Sequence, residues 1–161
     1  MKTLTRPDLG DHVLIVMDNC DSCLEQLSTL EQNLPNIASR RFTLLHCVPP
    51  TYWEHGGDGD AESQQIWKAE DREFQLTDDY LNRARMALED CGVPASQIQF
   101  ALHTCGSTRE AVLKQMQRST YSGVILSDRH HDLADLLSGR SLFGWFVRRR
   151  PGVTVWEMSL N

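Results

Sequence analysis

The sequence has no apolar run near the length of about 20 residues that a membrane-spanning helix needs, so no membrane insertion is expected. It has no basic surplus. Sixteen Lys and Arg stand against 22 Asp and Glu, a net charge of −6, and a chain of that balance lacks the cationic footprint of a general nucleic-acid binder. Behind Lys2 the opening MKTLTRPDLGDH carries no apolar stretch, so no secretory signal is expected. Cysteine is sparse and odd in number, five in all. That points to reduced thiols in the cytoplasm rather than a disulfide framework. There is no Walker loop, no nucleophile elbow and no acid–base pair at catalytic spacing. Nothing in the chain calls for an enzyme.

What remains is a globular composition. The chain has 161 residues, 40% hydrophobic and 24% charged, enough for one domain with a real core. Charge is distributed unevenly: Glu54 to Asp79 is acidic, whereas Arg129 to Arg150 is net basic. A basic end of this kind is where an anion would be met.

Residues 1–11 are polar, contain Pro7 and Gly10, and read as a flexible amino-terminal arm. The domain is expected over 12–158, with 159–161 a short tail. His12 to Met17 is an apolar run too short for a helix, hence a buried strand. Asp21 or Ser22 can cap a helix with Leu24, Leu27, Leu30 and Leu34 on its inner face, ending at Pro35. Arg41 to Val48 is a second strand, stopped by Pro49-Pro50, and residues 51–60 are loop by composition. Ala61 to Cys91 reads as one long helix whose inner stripe is Trp67, Phe74, Leu81, Ala84 and Leu88, closed by Gly92 and Pro94. Ile98 to His103 is a third strand. Ser107 caps a helix running to about Thr120, with Glu110 completing a capping box and Ala111, Val112, Leu113 and Met116 apolar. Val124-Ile125-Leu126 is a fourth strand. A polar loop, an amphipathic helix over 141–149 and a last strand, Val153 to Met158, follow.

Strands that alternate with helices form a parallel sheet with right-handed crossovers and helices on both faces. The fold class is therefore α/β with five parallel strands, in the doubly wound order 3-2-1-4-5. Its switch point lies between the first and fourth strands, and ligands of open α/β sheets bind there, outside the carboxyl ends. Those ends carry Asp18 and Ser127-Asp128-Arg129.

Four blocks in register resemble the universal stress protein family: His12 to Asp18, Leu44 to Pro50 (LLHCVPP), Cys91-Gly92-Val93-Pro94 with the strand after it, and Val124 to Val155. The resemblance covers residues 11–158 and implies a Rossmann-like domain with a regulatory or stress-response role, acting through a partner or small ligand. Nucleotide-binding members carry a glycine pattern after the fourth strand: Gly, two residues, Gly, nine residues, then Gly with Ser or Thr. Here these positions are Leu126, Arg129, Gly139 and Arg140, followed by Ser141, and only Gly139 matches. Such glycines let backbone N–H groups approach phosphates. Their loss resembles the branch that binds no ATP, so no conventional cofactor is expected. The resemblance assigns Asp18 to an adenosine contact and Cys47 to a backbone contact with the base. It leaves an alternative, an ATP or AMP switch in which Arg129 and Arg140 replace the glycines. It also implies a homodimer through strand 153–158.

Cys20-Asp21-Ser22-Cys23 is a C-x-x-C at a strand–helix junction, where a helix terminus can lower a thiol pKa. A thiol redox protein is therefore the rival from another class, opposed by the charges of Asp18 and Asp21. His130-His131 with Asp128 and Asp132 reads as solvated loop rather than a metal site, because no further ligand is apparent.

Overall fold

The computed structural model describes residues 9–17, 21–48, 61–104, 107–127 and 152–158, with backbone alone at 21–22, 48, 61–74, 127 and 157–158. Five strands form one sheet: β1 (His12–Met17), β2 (Arg41–Val48), β3 (Ile98–Thr104), β4 (Gly123–Ser127) and β5 (Thr154–Met158). The order is β3-β2-β1-β4-β5, and every pairing is parallel. The α/β reading and its strand order stand as expected.

Helices α1 (Asp21–Ser28), α2 (Leu30–Asn33), α3 (Ala61–Asp90) and α4 (Thr108–Arg118) cover the sheet. The helix expected over the four leucines is thus interrupted at Thr29, whose hydroxyl donates to the Gln26 carbonyl at 3.0 Å. A side chain bonding back to its own turn competes with continued helix. Leu24, Leu27, Leu30 and Leu34 nevertheless all enter the core.

Alternation along the strands builds two apolar layers. Val13, Ile15 and Met17 of β1, with Phe42, Leu44 and Ile125, face α1 and α3, meeting Leu27, Leu81, Ala84 and Leu88. Leu14, Val16, Leu45, Val124 and Leu126 face the other way and meet Ala111 and Val112 of α4. On α3 the described part of the expected stripe is correct, and Thr77 and Tyr80 join it, 4% and 6% exposed. Trp67 and Phe74 lie outside the described side chains, as does the helix expected over 141–149.

The amino-terminal segment departs from the flexible reading at its inner end. Leu9 is fully buried in the α1/α3 layer. Gly10 takes a left-handed φ of 69°, which glycine adopts without the Cβ penalty. Gly123 permits the approach: a Cβ there would stand 2.5 Å from the Leu9 carbonyl. Buried Arg40 clips the same segment, donating to the Gly10 carbonyl and, at 3.1–3.2 Å, to that of Pro35.

Candidate functional site

The sheet reverses its winding between β1 and β4, which run side by side with Val13 opposite Gly123 and Ile15 opposite Ile125. From β1 the order proceeds outward to β2 and β3; from β4 it proceeds the opposite way to β5. In open α/β sheets ligands bind outside the carboxyl ends of the strands at such a switch point. Met17 and Ser127 are the last residues of these two strands, and α1 begins at Asp21.

Of the expected site residues, Asp18, Arg129, Gly139, Arg140 and Ser141 lie outside the described residues. Cys47 is described. It is the penultimate residue of β2, half-buried, and packs on the α4 layer. It sits in register with His103 of β3. The backbone of Cys47 therefore lies near the carboxyl end of β2.

Leu126 falls where the first glycine of the nucleotide pattern would stand, and its placement is informative. It is a strand residue, aligned with Glu157 of β5, and its side chain is 1% exposed among Leu14, Val16 and Val124. Its bulk therefore lies in the core between the sheet and α4. This position is committed to sheet pairing and packing.

Two buried histidines near the same end of the sheet escaped the sequence reading. His46 of β2 aligns with Met17, is 6% exposed, and has its ring 6.1 Å from that of Tyr80. On the other face, His103 is 2.8 Å from Gln115 Oε1, and Gln115 Nε2 donates to the Tyr121 hydroxyl at 2.7 Å. All three are buried. Because the amide oxygen can only accept, His103 must present Nε2 as N–H to it. Gln115 follows Ala111 by one helical turn, so its spacing put it on the inner stripe of α4; its polarity concealed it.

The thiols have a core character. Cys23 is 1% exposed and packs in the α1/α3 layer. Cys20, its partner in the C-x-x-C, lies outside the described residues. Cys91 Sγ lies 3.4 Å from the Leu27 carbonyl and 3.6 Å from that of Ser28, and burial pushes its pKa up. Among the described residues no three His, Cys, Asp or Glu side chains cluster as metal ligands would; His130 and His131 lie outside them. No helix among them is long and apolar enough to cross a membrane.

No protein-family model matches the chain, and no curated protein matches it in sequence. Solved structures do match. One is a universal stress protein in complex with cAMP, with a TM-score of 0.55 and 16% identity over 94% of this chain and 98% of the other. A hypothetical protein matches with a TM-score of 0.54 and 15% identity, covering 92% and 95%. A protein of the universal stress protein family from Burkholderia pseudomallei gives 0.52 and 14%, again covering 92% and 95%. At these identities the likeness is one of fold: the chain has the Rossmann-like architecture of these proteins over nearly its whole length.

Proposed function

We propose that this chain, folded as universal stress proteins are, is a regulatory stress-response protein that acts through a partner or small ligand, without turnover and without conventional ATP binding. The observation that carries the second half is Leu126. Pairing with β5 and packing in the core make the first position of the glycine pattern strand here rather than phosphate loop, and Arg129 and Arg140 follow where a glycine and a small hydroxyl residue would stand. In this reading Asp18 and the Cys47 backbone keep a binding rim, and the loop after β4 no longer cradles a triphosphate. The protein works in the cytoplasm.

The test is a ligand screen. The purified protein is denatured and the supernatant assayed for nucleotides; none is expected. Ligand at one hundred times its dissociation constant stabilises a fold by about 2.7 kcal/mol, or about 5–10 °C at this chain length. Millimolar Mg-ATP should give no shift of that size. A shift that large would sink the reading.

A second reading has its own observation. One solved neighbour holds cAMP, and a monophosphate asks less of the loop than a triphosphate does. A nucleotide switch using Arg129 and Arg140 would then show stabilisation by cAMP or AMP that fails in the Arg129→Ala and Arg140→Ala variants. The thiol redox reading is weakened by Cys23, whose sulfur is packed in the core rather than offered to a substrate.

A further inference from the structure

The described thiols differ in their surroundings. Cys23 and Cys91 are buried, whereas Cys47 is only half-buried. It lies next to last in β2 and is aligned with His103 of β3. Neighbouring strands run about 4.8 Å apart, so aligned residues that leave the sheet on one face stand side by side. These two do: Cys47 packs on the α4 layer, and His103 bonds to Gln115 of that helix.

The buried His103 ring is set for proton transfer. Gln115 Oε1, 2.8 Å from Nε2, accepts its hydrogen, so in the neutral ring Nδ1 carries the lone pair. Gln115 is held in turn by its own donation to the Tyr121 hydroxyl at 2.7 Å. Among the described residues no group hydrogen-bonds to His103 Nδ1. That nitrogen belongs to the half of the ring nearer the sheet, where the neighbouring thiol is.

We propose that Cys47 is a modification site, a thiol that His103 activates toward small disulfides, with Gln115 as the positioning residue. His103 Nδ1 takes the thiol proton, and the thiolate attacks one sulfur of the reagent. A new S–S bond joins Cys47 to half of the reagent as the old S–S bond breaks. The departing thiolate collects the proton from His103. Cys47 is thereby oxidised to a mixed disulfide, and the other half of the reagent is reduced to a thiol. Helix α4 favours the thiolate. It starts at Thr108, soon after β3 ends at Thr104, so its amino end lies at the carboxyl end of the sheet, where the dipole attracts negative charge. Ala111 of its first turn shares a layer with Cys47. Of the charged groups on α4, Glu110 and Lys114 pair with each other at 3.2 Å, and Arg109 and Arg118 are cations. Strands β1 and β4 present only the apolar Leu14, Val16, Val124 and Leu126 to this layer, and Tyr121 stands behind Gln115.

Site-resolved labelling of the full chain tests this, first with limiting iodoacetamide from about pH 6 to 9, then with glutathione disulfide, the peptides being read by mass spectrometry. Cys47 should label ahead of Cys23 and Cys91, with a rate midpoint below the ordinary thiol value of about 8.5. It should also carry the glutathione mixed disulfide. His103→Gln should return the midpoint to the ordinary value and slow labelling at pH 7 by about threefold, because the gain in thiolate is partly offset by its lower nucleophilicity. Gln115→Glu, whose carboxylate holds the protonated ring, should speed labelling, and this variant decides if His103→Gln does not fold. A Cys47 midpoint at or above about 8.5, no mixed disulfide at Cys47, or rates that neither variant changes would each overturn the assignment.

Discussion

Restoring the missing glycine at position 126 separates two accounts of why the nucleotide pattern is absent. If Leu126 merely obstructed a pocket, Leu126→Gly would be mild and would help a phosphate bind. The packing predicts otherwise. Leu126 is 1% exposed among Leu14, Val16 and Val124. Truncating such a leucine to alanine costs about 2–5 kcal/mol through lost transfer energy and the cavity left behind. Going on to glycine adds about 0.5–1 kcal/mol of backbone entropy in a strand interior. The expected loss is thus about 3–6 kcal/mol, against a total of about 5–15 for an ordinary domain. With a urea slope of about 2 kcal/mol/M, the midpoint should fall by about 1.5–3 M. Leu126→Ala, measured beside it, should lose most of this amount. A loss below about 1 kcal/mol for the glycine variant, together with new thermal stabilisation by Mg-ATP, would refute both the packing argument and the functional reading built on it.

Ser122→Ala removes a hydroxyl that both accepts from His12 N and donates to a carbonyl; at about 1 kcal/mol for each bond the loss should be about 2 kcal/mol, read by calorimetry as a fall of about 4–8 °C. Cys23 and Cys91 should resist iodoacetamide at pH 7.5 in the native protein and react once urea unfolds it, because both are buried and burial raises the Cys91 thiol; rapid native labelling of either would contradict the packing. The edge position of β5 leads us to propose a two-fold contact through strand 153–158, so the wild type should sediment as a dimer at micromolar concentration. Trp156→Lys should give a monomer, or insoluble protein, since Trp156 also packs on the α1/α3 layer. A monomeric wild type would remove that contact.

The strands were legible because each is a short apolar run with a hard stop. HVLIVM and RFTLLHCV became β1 and β2 with the expected bounds. The Ser107 cap was legible too, and its side chain accepts from Glu110 N at 3.2 Å. What escaped were residues whose role depends on a distant partner. Leu9 looks like part of a polar tail until β4 supplies Gly123 beneath it. Tyr80 and Gln115 sit at helical spacing among apolar neighbours, yet a hydroxyl or amide reads as solvent-facing unless a buried partner is known. At the site, the run Val124-Ile125-Leu126 supports a strand, whereas the glycine pattern places Leu126 in a phosphate loop. Local sequence does not decide between these, and the pairing with β5 and the apolar surroundings do.

The tie between His12 and Ser122 spans 110 positions of the chain, and this has a consequence during synthesis. β1 is the central strand of the sheet and the first to be made, but its β4 side stays unpaired until residue 123 has been added. At about 5–20 residues per second, the translated chain carries that open strand edge, apolar from Val13 to Met17, for about 5–20 s. Through the same interval Leu9 lacks the strand against which it packs. Unpaired edges of this kind seed aggregation while folding is incomplete. Slowing synthesis lengthens the interval, so low-temperature expression should help only if it weakens association of nascent chains more than it delays β4.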